Sequence, residues 1–239
     1  MNARVMVGGV CVKKYKTLLF DLDDTLFDFQ ATEDMALQKL FNAYQLELTP
    51  QIKADYKKIN DQLWKAYEED QMDRDEVVNT RFSRLFELYG VQVNGIELQN
   101  SYMSYLSEGH HLIPGAVELI QSLHTQYDLY VVTNGSSFSQ FKRLEDSGLA
   151  PYFLNVFVSE DTGYQKPMKE FFDHVFSQIE NFKHDHALII GDSLSADITG
   201  GWRAGIDTCW VNLQRKENNT KVIPTYEITR LDELHTILG

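Results

Sequence analysis

One strand-like run stands far from its fellows in this chain, and that separation dictates the architecture. 'KTLLFD', ending at Asp21, is a short apolar run closed by an acid. Its counterparts, 'DLYVVTN', 'LNVFVS', 'HALIIGD' and 'DTCWVN', all lie beyond His111. Before and between those later runs come amphipathic segments such as 'GAVELIQSLHTQ', 'SFSQFKRLEDSG' and 'KEFFDHVFSQIE'. Apolar strands alternating with helices need cover on both faces, which predicts a parallel sheet in an α/β domain. The first strand belongs to this sheet, although the residues from Gln30 to Gly109 that follow it show helical periodicity and almost no strand signal.

That helical stretch therefore reads as an insertion. 'ATEDMALQKLFNAY' repeats Met35, Leu37, Leu40, Phe41 and Tyr44 at helical spacing. Thr49-Pro50 is a cap followed by a proline in the first turn. Asp73 can cap a third helix that Gly90 ends, and a fourth covers Ile96 to Glu108. The expected fold class is α/β, a Rossmann-like doubly wound parallel sheet carrying an inserted helical bundle. The expected boundaries are an α/β core at 16–28 and 111–239, a helical insertion at 29–110 and an amino-terminal tail at 1–15.

Charge and composition exclude several roles. A net charge of −13 argues against nucleic acid and anionic membrane surfaces, which select for a basic face. It also means that an anionic ligand needs local positive charge. No apolar run reaches the roughly 20 residues that span a bilayer. The opening 'MNARVMVGGVCVKKYK' has too short an apolar patch for a secretion signal, and Lys13, Lys14 and Lys16 follow it directly, so a loose tail or an extended translation start is expected. Cys11 and Cys209 have no metal or redox spacing, which fits free thiols in a reducing cytoplasm.

In an open parallel sheet, ligands bind beyond the carboxyl ends of the strands. The first strand ends in Asp21-Leu22-Asp23, where strand alternation would turn both carboxylates to one pocket and Leu22 into the core. By the same alternation Asp24 points away, and Asp28 is expected to cap or gate the first inserted helix. The next strand ends at Thr133, Asn134 and a glycine. 'VSEDTGYQKP' brings Lys166, the only cation that the sequence places nearby, and 'IIGDSLSAD' brings Asp192 and Asp197.

'DLDDT', 'TNG', 'QKP' and 'GDSLSAD', in this order, resemble the four motifs of the haloacid dehalogenase superfamily in its phosphatase branch. The resemblance runs from Thr17 to Leu238. It implies a phosphomonoester hydrolase in which Asp21 is the nucleophile and forms an aspartyl-phosphate. Asp23 would be the general acid and base, and Thr133 with the Asn134 backbone would bind phosphate oxygens. Lys166 would neutralise the phosphoryl group. Asp21, Asp192 and the Asp23 backbone carbonyl would hold Mg2+, with Mn2+ able to substitute. Asp197 would act behind them, steadying Lys166 or a metal-bound water. The chemistry agrees, because clustered carboxylates repel a phosphate unless cations invert the local sign.

The resemblance further implies that the helical insertion is a cap closing over the pocket. Asn60, Trp64, Arg81 and Phe82 are its candidates to meet substrate, by ring stacking or by pairing with an anion. The wording of 'DLDDTLFDF' and of the region around Asp192 is similar to the bacterial pyrimidine-type 5′-nucleotidases, which implies a nucleoside monophosphate substrate. The alternatives are a phosphatase of sugar phosphates, a phosphomutase, or a dehalogenase; the last is disfavoured by Asp23 together with Asp192. A monomer or homodimer is expected. His184 and His186 read as a solvent-facing pair, 'EFFDHVF' as core, and Gly200, Gly201 and Gly205 as packing and helix-stop positions.

Overall fold

The computed structural model describes residues 4–7, 10–13 and 15–239. The chain divides into two compact units, one of residues 1–29 with 110–239 and the other Gln30–Gly109.

The first unit is built on six parallel strands. In chain order these are β3 (Thr17–Phe20), β4 (Asp128–Thr133), β5 (Asn155–Val158), β6 (Ala187–Gly191), β7 (Asp207–Val211) and β8 (Tyr226–Ile228). They lie side by side as β5-β4-β3-β6-β7-β8, which makes β3 central, although the helical unit separates it from the rest in sequence. Strand alternation sorts the core into two layers. Leu18, Phe20, Leu129, Val131, Leu188 and Ile190 enter one apolar cluster, whereas Leu19, Tyr130, Val132 and Ile189 enter the other. Such burial on both faces explains why these runs contain so few polar residues.

Two elements went unanticipated. β1 (Arg4–Val7) and β2 (Val10–Lys13) pair antiparallel, so the expected loose tail is corrected to a β-ladder over those residues. The remainder of that expectation falls on residues outside the described ones. The short edge strand β8, parallel to β7, is the other.

Helices α5 (Ala116–Leu123), α6 (Ser137–Asp146), the single turn α7 (Ser159–Thr162), α8 (Lys169–Ser177) and α9 (Thr199–Ala204) join the strands of this unit. In α8, Phe171, Phe172 and Val175 are fully buried, as 'EFFDHVF' predicts. A Cβ at Gly200 would lie 2.5 Å from the Phe172 ring, so glycine there permits the close packing of α9 on α8. Among the described residues no helix is long and apolar enough to cross a membrane.

The second unit consists of four helices, α1 (Phe29–Ala43), α2 (Pro50–Glu68), α3 (Arg74–Glu87) and α4 (Gly95–Leu106). The predicted caps form: Thr49 Oγ1 accepts from the Ile52 N–H at 3.2 Å and Asp73 Oδ1 from the Glu76 N–H at 2.7 Å. Aromatic rings fill the bundle. Tyr56 stacks on Phe82 at 5.4 Å between centroids, with Tyr102 edge-on to Phe82.

Candidate active site

The carboxyl ends of β3, β4 and β6 are adjacent in the sheet, and they carry Asp21, Thr133 and Asp192. Carboxylate oxygens of Asp21, Asp192 and Asp197 all lie within 4.8 Å of one another. Asp197 comes from a π-type turn, Leu194–Ile198, that follows β6. Gly191 is what lets it approach, since a Cβ there would sit 2.2 Å from Asp197 Oδ2.

Lys166 enters this nest from the loop after α7 and is buried. Its Nζ donates to Asp21 Oδ1 at 2.7 Å, to Asp197 Oδ1 at 2.6 Å and to the Val132 carbonyl at 2.8 Å. Those three bonds use all the hydrogens an ammonium has. The group therefore acts here through its charge and by fixing Asp21, with no N–H left over for a further acceptor. Asn134 secures the lysine backbone in both directions, donating from Nδ2 to the Lys166 carbonyl and accepting at Oδ1 from the Lys166 N–H, each at 2.9 Å. Asp197 Oδ2 accepts from the Ser193 N–H at 3.0 Å, so both of its oxygens are engaged within the protein.

The electrostatics leave the nest short of positive charge. Burial pushes the Asp21 carboxyl up to about 7; Lys166 opposes that rise, and the neighbouring Asp197 and Asp23 add to it. Asp192 is raised well above the usual carboxylate range by desolvation and by Asp21, Asp197 and Asp24. Burial works against the Lys166 ammonium, but Asp197 and Asp21 outweigh it and hold the group above the ordinary lysine value. One cation shared by two acids is amply compensated, while the acids are not. Among the described residues no side chain donates a hydrogen bond to the Asp192 carboxylate. An oxygen-only donor set with surplus negative charge fits a hard divalent ion such as Mg2+.

Asp23 lies beyond the regular strand. β3 ends at Phe20, so the following residues are not a strand and alternation does not govern where they point. The Asp23 carboxylate stands outside the three-carboxylate group and is held by α6: Oδ1 accepts from Arg143 Nη1 at 2.6 Å and Oδ2 from Gln140 Nε2 at 2.7 Å. Asp24 adopts a left-handed backbone with φ of 57°. Its Oδ1 accepts from the N–H of Phe29, the first residue of α1, at 3.1 Å, so Asp24 helps to cap that helix. Lys166 is not the only cation at hand, because the buried Arg143 lies beside Asp23.

Of the helical-unit candidates, Asn60, Arg81 and Phe82 are buried. Arg81 donates from Nε to Gln99 Oε1 at 2.8 Å and from Nη1 to Asn60 Oδ1 at 3.1 Å, and lies over the Tyr102 ring. Phe82 is stacked within the bundle, which corrects the expectation that its ring is presented to a ligand. Trp64 packs edge-on to Tyr67, beside Leu63 and Val77. His184 and His186 occupy a short turn before β6, at the opposite ends of the strands from the acids, where His184 meets the Phe176 and Phe182 rings.

Gln140 and Arg143 escaped the sequence reading. Their helix has inverted amphipathicity: Ser139, Gln140, Arg143 and Leu144 are buried, whereas Phe138 and Phe141 are exposed. Polar residues at core spacing directly after 'TNG' were the available signal.

The chain is similar to known proteins along nearly its whole length. The chain is 57% identical to HAD-hydrolase YfnB of Bacillus subtilis over 228 residues, covering 95% of this chain and 97% of that one. A crystal structure of YfnB bound to magnesium superposes with a TM-score of 0.92, covering 95% of this chain and all of that one. The chain is 45% identical to pyrimidine 5′-nucleotidase PynA of Streptococcus pneumoniae, with 92% and 93% of the two chains covered. It is 32% identical to pyrimidine 5′-nucleotidase YjjG of Escherichia coli, with 94% and 98% covered. Residues 18–211 match the haloacid dehalogenase-like hydrolase family, and this chain belongs to it.

Proposed function

We propose that this protein is a Mg2+-dependent phosphomonoester hydrolase that works through an aspartyl-phosphate on Asp21 and acts on pyrimidine nucleoside 5′-monophosphates. The observation that carries the reading is the contrast between two carboxylates two residues apart. Asp21 is buried beside Lys166 in an oxygen nest suited to a hard cation, whereas Asp23 is held separately by neutral and cationic donors of α6.

The residues divide the reaction between them. An Asp21 oxygen attacks phosphorus, the bond to the ester oxygen breaks, and Asp23 gives that oxygen its proton. Asp23 then takes a proton from the water that attacks the same phosphorus, so that inorganic phosphate leaves and Asp21 is regenerated. Thr133 and backbone N–H groups after β4 receive phosphate oxygens, and Lys166 keeps Asp21 oriented and its charge tolerable. Asp21, Asp192 and the Asp23 carbonyl would hold Mg2+, which supplies neutralisation of the transferring phosphoryl group. The names of two relatives, at 45% and 32% identity, support the nucleotide substrate.

The test is a comparison of kcat/KM across pyrimidine and purine nucleoside monophosphates and sugar phosphates with Mg2+. Preference for the pyrimidine nucleotides supports the reading, and preference for sugar phosphates replaces its substrate while leaving its chemistry.

A further inference from the structure

We propose that Gln140 and Arg143 are positioning residues that preset both Asp23 and Thr133 for the reaction, an inference that rests on the phosphatase reading above. The two side chains are hydrogen-bonded to each other and to Asp23. Gln140 Nε2 donates to Asp23 Oδ2 at 2.7 Å and to Thr133 Oγ1 at 3.0 Å, one bond for each amide hydrogen. Arg143 Nη1 donates to Asp23 Oδ1 at 2.6 Å and to Gln140 Oε1 at 3.1 Å. Each Asp23 oxygen thus has one donor, which fixes the plane of the carboxylate.

The consequence for Thr133 follows from counting lone pairs. Its Oγ1 accepts from the Gly135 N–H at 3.1 Å and from Gln140, and a hydroxyl oxygen has two lone pairs. With both taken, the hydroxyl hydrogen can only be donated outward. That polarity suits a phosphate oxygen. Gly135 makes room for the arrangement, because a Cβ there would lie 2.1 Å from Gln140 Nε2.

Burial gives the pair its rigidity. Gln140 and Arg143 are each 1% exposed, and the guanidinium lies 4.5 Å from the centre of the Phe27 ring. Side chains this constrained have little freedom to drift, so the geometry they impose is retained between turnovers.

The experiment compares kcat/KM for two esters under saturating Mg2+. The oxygen leaving a nucleoside 5′-monophosphate needs a proton, whereas p-nitrophenolate leaves without one. Arg143→Met keeps the packed stem and removes the bond to Asp23. It should lower kcat/KM on the nucleotide by about 10- to 100-fold, within the range that general acid catalysis supplies, and on p-nitrophenyl phosphate by less than about threefold. Gln140→Met should lower both, the nucleotide more, because Thr133 also loses its preset polarity. Arg143→Lys should recover part of the nucleotide rate. Equal losses on the two esters, or none, would overturn the inference. If Arg143→Met does not fold, Gln140→Met and Arg143→Lys decide it by the same criterion. A wild-type enzyme that hydrolyses neither ester overturns the phosphatase reading itself, whereas an active wild type with equal variant losses overturns only this inference.

Discussion

Removing the charge of Asp21 should stabilise the protein when no metal is present. The folded state holds the Asp21 proton up to about pH 7, against an ordinary value of 3.8. The folded chain therefore binds more protons than the unfolded one between these limits, and stability falls as pH rises through that window. About three pH units at 1.4 kcal/mol each give a cost of roughly 4 kcal/mol, complete above about pH 7. Asp21→Asn keeps the shape and an acceptor for Lys166 but has no charge to bury. In EDTA the variant should exceed the wild type by about 2–4 kcal/mol at pH 8, with the gap closing towards pH 4. Urea denaturation at the two pH values measures it. Mg2+ should then narrow the pH 8 gap by stabilising the wild type selectively, by about 2.7 kcal/mol at a hundredfold excess over Kd. A variant less stable than the wild type at pH 8 in EDTA would refute the reasoning, since Lys166 alone would then outweigh burial and repulsion.

Two further outcomes follow from other close contacts. Burial pushes the Glu33 carboxyl in the helical unit from 4.5 up to about 7, with Arg81 opposing the rise. The wild type should therefore lose stability relative to Glu33→Gln as pH rises from about 4.5 to 7, by roughly 3 kcal/mol in all, and parallel pH–stability curves would contradict this. Gly191→Ala should push Asp197 off Lys166 and the Ser193 N–H, costing about 1–3 kcal/mol in a melting experiment and at least about tenfold in activity; a silent substitution would mean that the approach at 2.2 Å is readily relieved.

The parts of the site that the sequence made legible share a property: they sit at strand ends, where an apolar run stops at a charged or hydroxyl residue. Asp21, Thr133 and Asp192 are of this kind, and the register of β3 with β4 and β6 brings them to within one residue of the same level. Lys166 and Asp197 could be placed because each lies within a few residues of such an end or in a motif. Alternation by itself does not fix the direction of Asp24, because the strand stops at Phe20. Arg143 was invisible for a different reason. A single arginine next to Lys142 on a helix reads as solvated, and partners that repay its burial, Asp23 and Phe27 among them, lie more than a hundred residues away in sequence. The pairing of β1 with β2 has a local signal in the sequence, valine at alternate positions in each strand.

The most direct test of the account is to catch the covalent intermediate. Rapid mixing with a nucleoside monophosphate and Mg2+, followed by acid quench and peptide mass spectrometry, should reveal a hydroxylamine-sensitive phosphoryl group on the peptide bearing Asp21. It should be absent after EDTA treatment and in Asp21→Asn. Turnover with no such adduct, or with the phosphoryl group on another residue, would contradict the claim that the buried acids and Lys166 together prepare Asp21 to attack phosphorus.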